Sequence, residues 1–94
     1  MGLFNRLYAI LQCPRCGHVG ESEIEFKFGY MQMFDYRLGD ILEWESHFRL
    51  FKDHADEGYA ECAGCLKDFW VTIYVKQDVI VDVQVDPDRP GYIP

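Results

Sequence analysis

The residue types best suited to chemistry in this 94-residue chain are its four cysteines, Cys13, Cys16, Cys62 and Cys65. They stand as two C-x-x-C pairs separated by the stretch from Gly17 to Glu61. A C-x-x-C turn brings two thiolates to one point, and two such turns supply the four soft ligands that tetrahedral zinc takes. The first pair lies in Cys13-Pro14-Arg15-Cys16-Gly17-His18. Pro14 fixes one φ angle, and Gly17 lets the chain turn so that backbone N–H groups can face the sulfurs. The second reads Cys62-Ala63-Gly64-Cys65, again with small residues where backbone approaches an ion. Three other uses of the same cysteines compete. Two disulfides would need an oxidising compartment, and no export signal is present. A thioredoxin-type dithiol belongs at the start of a helix in a βαβ unit, whereas a β-like run, Phe69 to Val75, follows Cys65. Iron suits the same tetrahedral sulfur set as zinc.

At these residues the chain resembles the zinc-ribbon and rubredoxin-like superfamily, in which two C-x-x-C knuckles at hairpin tips clamp one metal ion. The resemblance rests on Cys13-Pro14-Arg15-Cys16-Gly17, on Cys62-Ala63-Gly64-Cys65, and on a strand after each. It implies that Cys13, Cys16, Cys62 and Cys65 are the metal ligands. Two departures stand out. The long spacer implies a β insertion between the knuckles, and Leu66 stands where many such proteins place Gly.

The elements that must position the cysteines read as mainly β. The expected fold is one zinc-ribbon-like domain over residues 1–94, an antiparallel sheet with a β insertion and one short N-terminal helix. That helix is expected over 1–12, because Leu3, Phe4, Leu7, Ile10 and Leu11 fall on one helical face. The stripe is expected to pack on the sheet, and a membrane-surface or partner-binding helix is the alternative. Ile24, Phe26 and Phe28 alternate with Glu23, Glu25 and Lys27, the pattern of a half-buried strand, and Gly29 marks a bend. Gly39-Asp40 reads as a turn, Phe48 to Phe51 as a strand, and Asp53 to Gly58 as a polar loop. Phe69 to Val75 is expected to be the central strand, apolar on both faces. After a turn at Lys76-Gln77-Asp78, Val79, Val81, Val83 and Val85 alternate with polar residues, which predicts a strand with its valines inward. The proline-rich tail, 86–94, is expected to be extended or frayed, with a docking arm anchored by Tyr92 and Ile93 as the alternative.

A metal tie is useful to such a chain. Small domains bury a limited share of their surface, and pairing distant strands is entropically costly.

Composition narrows the function. Hydrophobic residues make up 49% and aromatic residues 16%, too apolar for a disordered chain, so a ring-rich core is expected. Lys+Arg is 9 against Asp+Glu 16, a net charge of −7, which argues against a surface built to grip phosphate backbones. Arg6, Arg15, Lys27, Arg37, Arg49, Lys52, Lys67 and Lys76 are scattered, and only Arg49 and Lys52 stand close, flanking Phe51. With no export signal and no apolar run long enough to span a bilayer, the expected location is the cytoplasm, with no membrane contact.

Four cysteine ligands leave a metal no open position, so its expected role is structural. There is no Gly-rich phosphate loop, nucleophile elbow or H-E-x-x-H, and no acid pair is set apart, so an enzyme is not expected. His18 is placed beside the knuckle, either donating to a thiolate or simply on the surface. His47 and His54, near Asp53 and Asp56, offer a less favoured second metal or acid–base site.

The expected function is a non-catalytic protein–protein interaction module: an adaptor, an accessory subunit, or an immunity- or antitoxin-like inhibitor whose acids fill a basic cleft. The expected partner is another protein. Candidate contacts are Tyr30, Tyr36, Trp44, Asp53, Asp56, Glu57 and Tyr92, whereas Trp70 is better placed in the core. The alternatives are a nucleic-acid-binding zinc ribbon in a transcription or RNA-associated complex, and a rubredoxin-like iron electron carrier.

Overall fold

The structure, a computed structural model, describes residues 4–29, 33–43, 53–89 and 91. Six strands make up its regular structure: β1 (Asn5–Gln12), β2 (Val19–Phe26), β3 (Asp35–Arg37), β4 (His54–Glu61), β5 (Asp68–Lys76) and β6 (Val79–Val85). They form one sheet in the order β3-β1-β2-β4-β5-β6. β1 with β2 and β4 with β5 are antiparallel hairpins, each carrying one C-x-x-C knuckle at its tip. β2 and β4 join the hairpins through only two paired positions, Ile24 with Ala60 and Glu25 with Tyr59. The sheet is mixed, not antiparallel throughout as the sequence suggested, because the insertion strand β3 pairs parallel to β1.

The sheet curls. The segment after β3, at one edge, hydrogen-bonds to β6 at the other: Gly39 N–H donates to Ile80 O at 2.8 Å, Ile80 N–H to Asp40 O at 3.0 Å, and Leu42 N–H to Asp78 O at 2.7 Å. The concave face holds the core, with Leu7, Ile24, Phe26, Leu42, Phe69, Val71, Ile73 and Ile80 fully buried. Burial of these side chains is the main stabilising term. The described segments contain no helix long and apolar enough to cross a membrane.

The expected N-terminal helix is replaced by β1. Leu7 and Leu11 sit four apart, a spacing that fits both a helical turn and two strand repeats. The strand repeat wins: Asn5, Leu7, Ala9 and Leu11 all face inward, and Ile10, counted in the helical stripe, is 73% exposed. Asn5 is fully buried, and its amide donates to Phe28 O at 3.1 Å and accepts from Phe34 N–H at 3.2 Å.

The expected polar loop at Asp53 to Gly58 is mostly strand, because β4 starts at His54 and pairs with β5 along its whole length. Gly58 is a packing residue, not a turn residue: a Cβ there would lie 2.6 Å from Ile24 Cγ2 and 2.9 Å from Ile73 Cδ1.

β5 is interior but not central, and it buries one face only, with Trp70, Thr72 and Tyr74 half-buried on the other. Gln77 and Asp78, at φ 50° and 66°, form the two-residue turn into β6. The valine alternation in β6 is broken by a bulge. Tyr74 pairs with Asp82 and Val75 with Ile80, so Ile80 is buried and Val81, expected inward, is 49% exposed. The strand expected at Phe48 to Phe51 lies outside the described residues.

Candidate metal centre

Each knuckle starts where a hairpin strand ends. β1 delivers Cys13 and β4 delivers Cys62, both nearly fully buried, while Cys16 is exposed and Cys65 half-buried. The loops close with the same pair of backbone hydrogen bonds. Cys13 N–H donates to His18 O and Cys62 N–H to Lys67 O, both at 2.8 Å. Gly17 N–H donates to Cys13 O and Leu66 N–H to Cys62 O, both at 2.9 Å. Gly17 has φ 80° and Leu66 φ 60°, so the leucine adopts the left-handed turn that glycine adopts in the first knuckle. An L side chain there costs about 1–2 kcal/mol.

The four Sγ atoms lie within 4.8 Å of one another. Across the knuckles, Cys13 Sγ is 3.8 Å from Cys65 Sγ and Cys16 Sγ is 3.6 Å from Cys62 Sγ. A tetrahedron with metal–sulfur bonds of about 2.3 Å has sulfur–sulfur edges of about 3.8 Å. A disulfide would need about 2.05 Å, and all four cysteines are free thiols. The geometry and the donor set therefore suit a metal ion.

The backbone prepares the sulfurs for negative charge. Arg15 N–H points at Cys13 Sγ and Gly64 N–H at Cys62 Sγ, each at 3.3 Å. Hydrogen bonds from the Cys65 and Gly64 backbone, partly offset by burial, lower the Cys62 thiol to about 6. At Cys16 the His18 backbone hydrogen bond likewise lowers the thiol, but local desolvation within the cluster and hydrogen bonds with the three neighbouring sulfurs outweigh it and push it up to about 12. The opposed directions are those of crowded thiols, which titrate as a group and not one by one.

His18 is exposed, and its would-be neighbour at Gly64, a Cβ, would lie 3.3 Å from its side chain, so it stands between the knuckles. Its contact with a ligand sulfur runs through its backbone to Cys16.

The other sequence-derived candidates do not converge. Tyr36 is buried in the core against Phe26, so it is not a surface contact. Asp53 is exposed, but its carboxylate accepts from Gln77 N–H at 3.0 Å and caps the β5–β6 turn. Asp56 contacts His54 at 3.3 Å, and Glu57 contacts Arg89 at the same distance. Trp70 is half-buried on the convex face, under the Arg89 guanidinium at 4.2 Å from its ring centroid. Tyr30, Trp44, His47 and Tyr92 lie outside the described residues. Among the described residues, the four cysteines form the one group of three or more His, Cys, Asp or Glu side chains able to share an ion.

Sequence reasoning missed the polar group beside the centre. Asp68, fully buried, accepts from Tyr59 Oη at 2.6 Å and lies 3.8 Å from Arg15 Nη1, which also donates to Asp68 O at 3.1 Å. Its one sequence signal is an acid at the head of a mostly apolar strand. No protein-family model, no curated protein and no solved structure matches this chain. The metal centre is therefore identified by its own geometry, as a four-cysteine cluster able to hold a metal ion.

Proposed function

We propose that this protein is a zinc-stabilised β module whose task is to bind another protein, without catalysis of its own. The observation that carries the reading is the sulfur set: four cysteine Sγ atoms lie within 4.8 Å of one another, and four thiolate ligands on one ion would leave no position for water or substrate. Zinc is favoured over iron because a structural tie suffices for a chain this small, and zinc contributes it without redox chemistry.

The convex face supports a protein partner. It carries Glu21, Glu23, Glu25, Glu57 and Glu61 beside Tyr59 and Trp70. Ile10, Val19 and Leu66 are more than half exposed around the knuckles. Exposed apolar side chains beside acids are the composition of a docking face for a basic partner.

The arginines disfavour the nucleic-acid reading. Arg6 is ion-paired with Asp35 at 2.8 Å, off the line of its N–H bond, and Arg37 with Glu21 at 2.9 Å. Arg89 pairs with Glu57 at 3.3 Å. Paired guanidiniums offer little free charge to phosphate.

Affinity capture with the parent and with a Glu23→Lys/Glu61→Lys variant tests the role. A partner held by the parent and lost by the variant is expected. Tight binding to DNA or RNA with a steep salt dependence, and no protein partner, would overturn the reading.

A further inference from the structure

A fully buried carboxylate in a small domain is costly unless its contacts repay it. Asp68 has such contacts, and the one with Arg15 leads to the cysteine cluster. Arg15, between the two cysteines of the first knuckle, reaches across to the head of β5 and holds both the carboxylate and the carbonyl of Asp68. The same residue points its backbone N–H at Cys13 Sγ. Tyr59, on β4, donates a hydroxyl hydrogen bond to the other carboxylate oxygen. Gly91 closes the group from outside: at φ 97°, a Cβ there would lie 2.5 Å from Asp68 Oδ1. The chain leading to Gly91 is tied to β5, with Asp86 N–H donating to Trp70 O at 2.9 Å and Trp70 N–H to Arg89 O at 3.2 Å.

We propose that Asp68 is the positioning residue of the metal centre, aligning the first knuckle with the second through Arg15. The proposal rests on the reading of the four cysteines as metal ligands. The need follows from the fold. The two hairpins share only two paired positions along β2 and β4, and crowded thiolates repel one another until a cation arrives. Arg15 with Asp68 is a side-chain tie between the hairpins beside the sulfurs. It sets the angle at which the Arg15 N–H meets Cys13. The second knuckle makes the equivalent N–H contact, from Gly64 to Cys62, and Gly64 has no side chain through which Asp68 could act. The effect therefore falls on one knuckle.

The test uses the full chain, zinc affinity by chelator competition, and amide exchange in the zinc-loaded protein. Asp68→Asn is expected to lower zinc affinity about 10- to 100-fold, the usual cost of losing an outer partner of a ligand set. The Arg15 amide should exchange faster while the Gly64 amide keeps its parental rate. Arg15→Gln with Asp68→Asn should lose less than the product of the two single losses, since either change breaks the same contact. Arg15→Gln breaks the same contact from the first knuckle and leaves Asp68 in place, which keeps the test decisive if Asp68→Asn fails to fold, whereas Tyr59→Phe keeps the charge and the Arg15 contact and should lose less than either. Parental zinc affinity in Asp68→Asn or in Arg15→Gln would overturn the proposal, as would equal acceleration of the Arg15 and Gly64 amides, the mark of general loosening. A parent that binds neither zinc nor cobalt would remove the metal reading and this one with it. A parent that binds, beside an Asp68→Asn chain that binds equally well, would remove this one alone.

Discussion

The first knuckle, Cys13 to His18, and the second, Cys62 to Lys67, close with matching backbone hydrogen bonds and carry matching N–H contacts to sulfur. Their side chains share almost nothing beyond the cysteines. The first has Pro14, Arg15 and Gly17; the second has Ala63, Gly64 and Leu66. Their hairpins differ as well. β2 leaves the first knuckle with its opening residues exposed, Val19 at 61%, and enters the core only at Ile24. β5 leaves the second knuckle with Asp68 and Phe69 already fully buried. Both knuckles enter from the core, through Leu11 and Cys13 in the first and Ala60 and Cys62 in the second, but the strand that leaves is exposed after the first and buried after the second. The lesson is that the cysteine cluster has core support on the entering strand of each hairpin, while the leaving strands differ in how soon they join the core.

Several substitutions can break or sharpen that contrast. The largest effect is expected from Cys62→Ser. It removes a ligand and with it much of the about 10–16 kcal/mol of apparent binding energy that zinc supplies in small finger peptides. Melting in the presence and absence of chelator should show a variant that no longer responds to metal. Cys16→Ser should behave alike if the knuckles are equivalent as ligands, although Cys16 is exposed and Cys62 buried. Next, Phe69→Ala should cost about 3–5 kcal/mol in chemical denaturation, as a large buried ring replaced by a cavity. Val19→Ala, at the opening residue of β2, should stay within about 0.5 kcal/mol. Equal losses would contradict the unequal seating. Gly58→Ala forces a methyl against Ile24 and Ile73 and should cost about 1–3 kcal/mol while zinc stoichiometry holds. The smallest effect is a swap at the left-handed position. Leu66→Gly should stabilise by up to about 1 kcal/mol, and Gly17→Leu should destabilise by a similar amount, read from denaturation midpoints.

The sequence carried some of this openly. The cysteine spacing located the four-sulfur cluster because C-x-x-C geometry is local and needs no knowledge of the fold. The alternation at Ile24, Phe26 and Phe28 was equally legible, and all three are buried. Other parts were hidden by physics that spacing does not record. In β1, Leu7 and Leu11 satisfy two periods at once, and a partner strand decides between them. At Gly58 the glycine resembles turn punctuation, but it is required by Ile24 from another strand. In β6, one bulge moves Val81 outward and Ile80 inward, which the run of valines masks. The Arg15–Asp68 contact joins residues far apart in the chain, and no local pattern announces it.

The most direct test is the metal content of the purified, unreduced chain, by elemental analysis together with intact mass. The account predicts one metal ion per chain, all four cysteines as thiolates, and a cobalt-substituted form with the absorption of a tetrahedral four-sulfur site. A metal-free chain whose mass is lowered by the hydrogens lost in forming disulfides would contradict it.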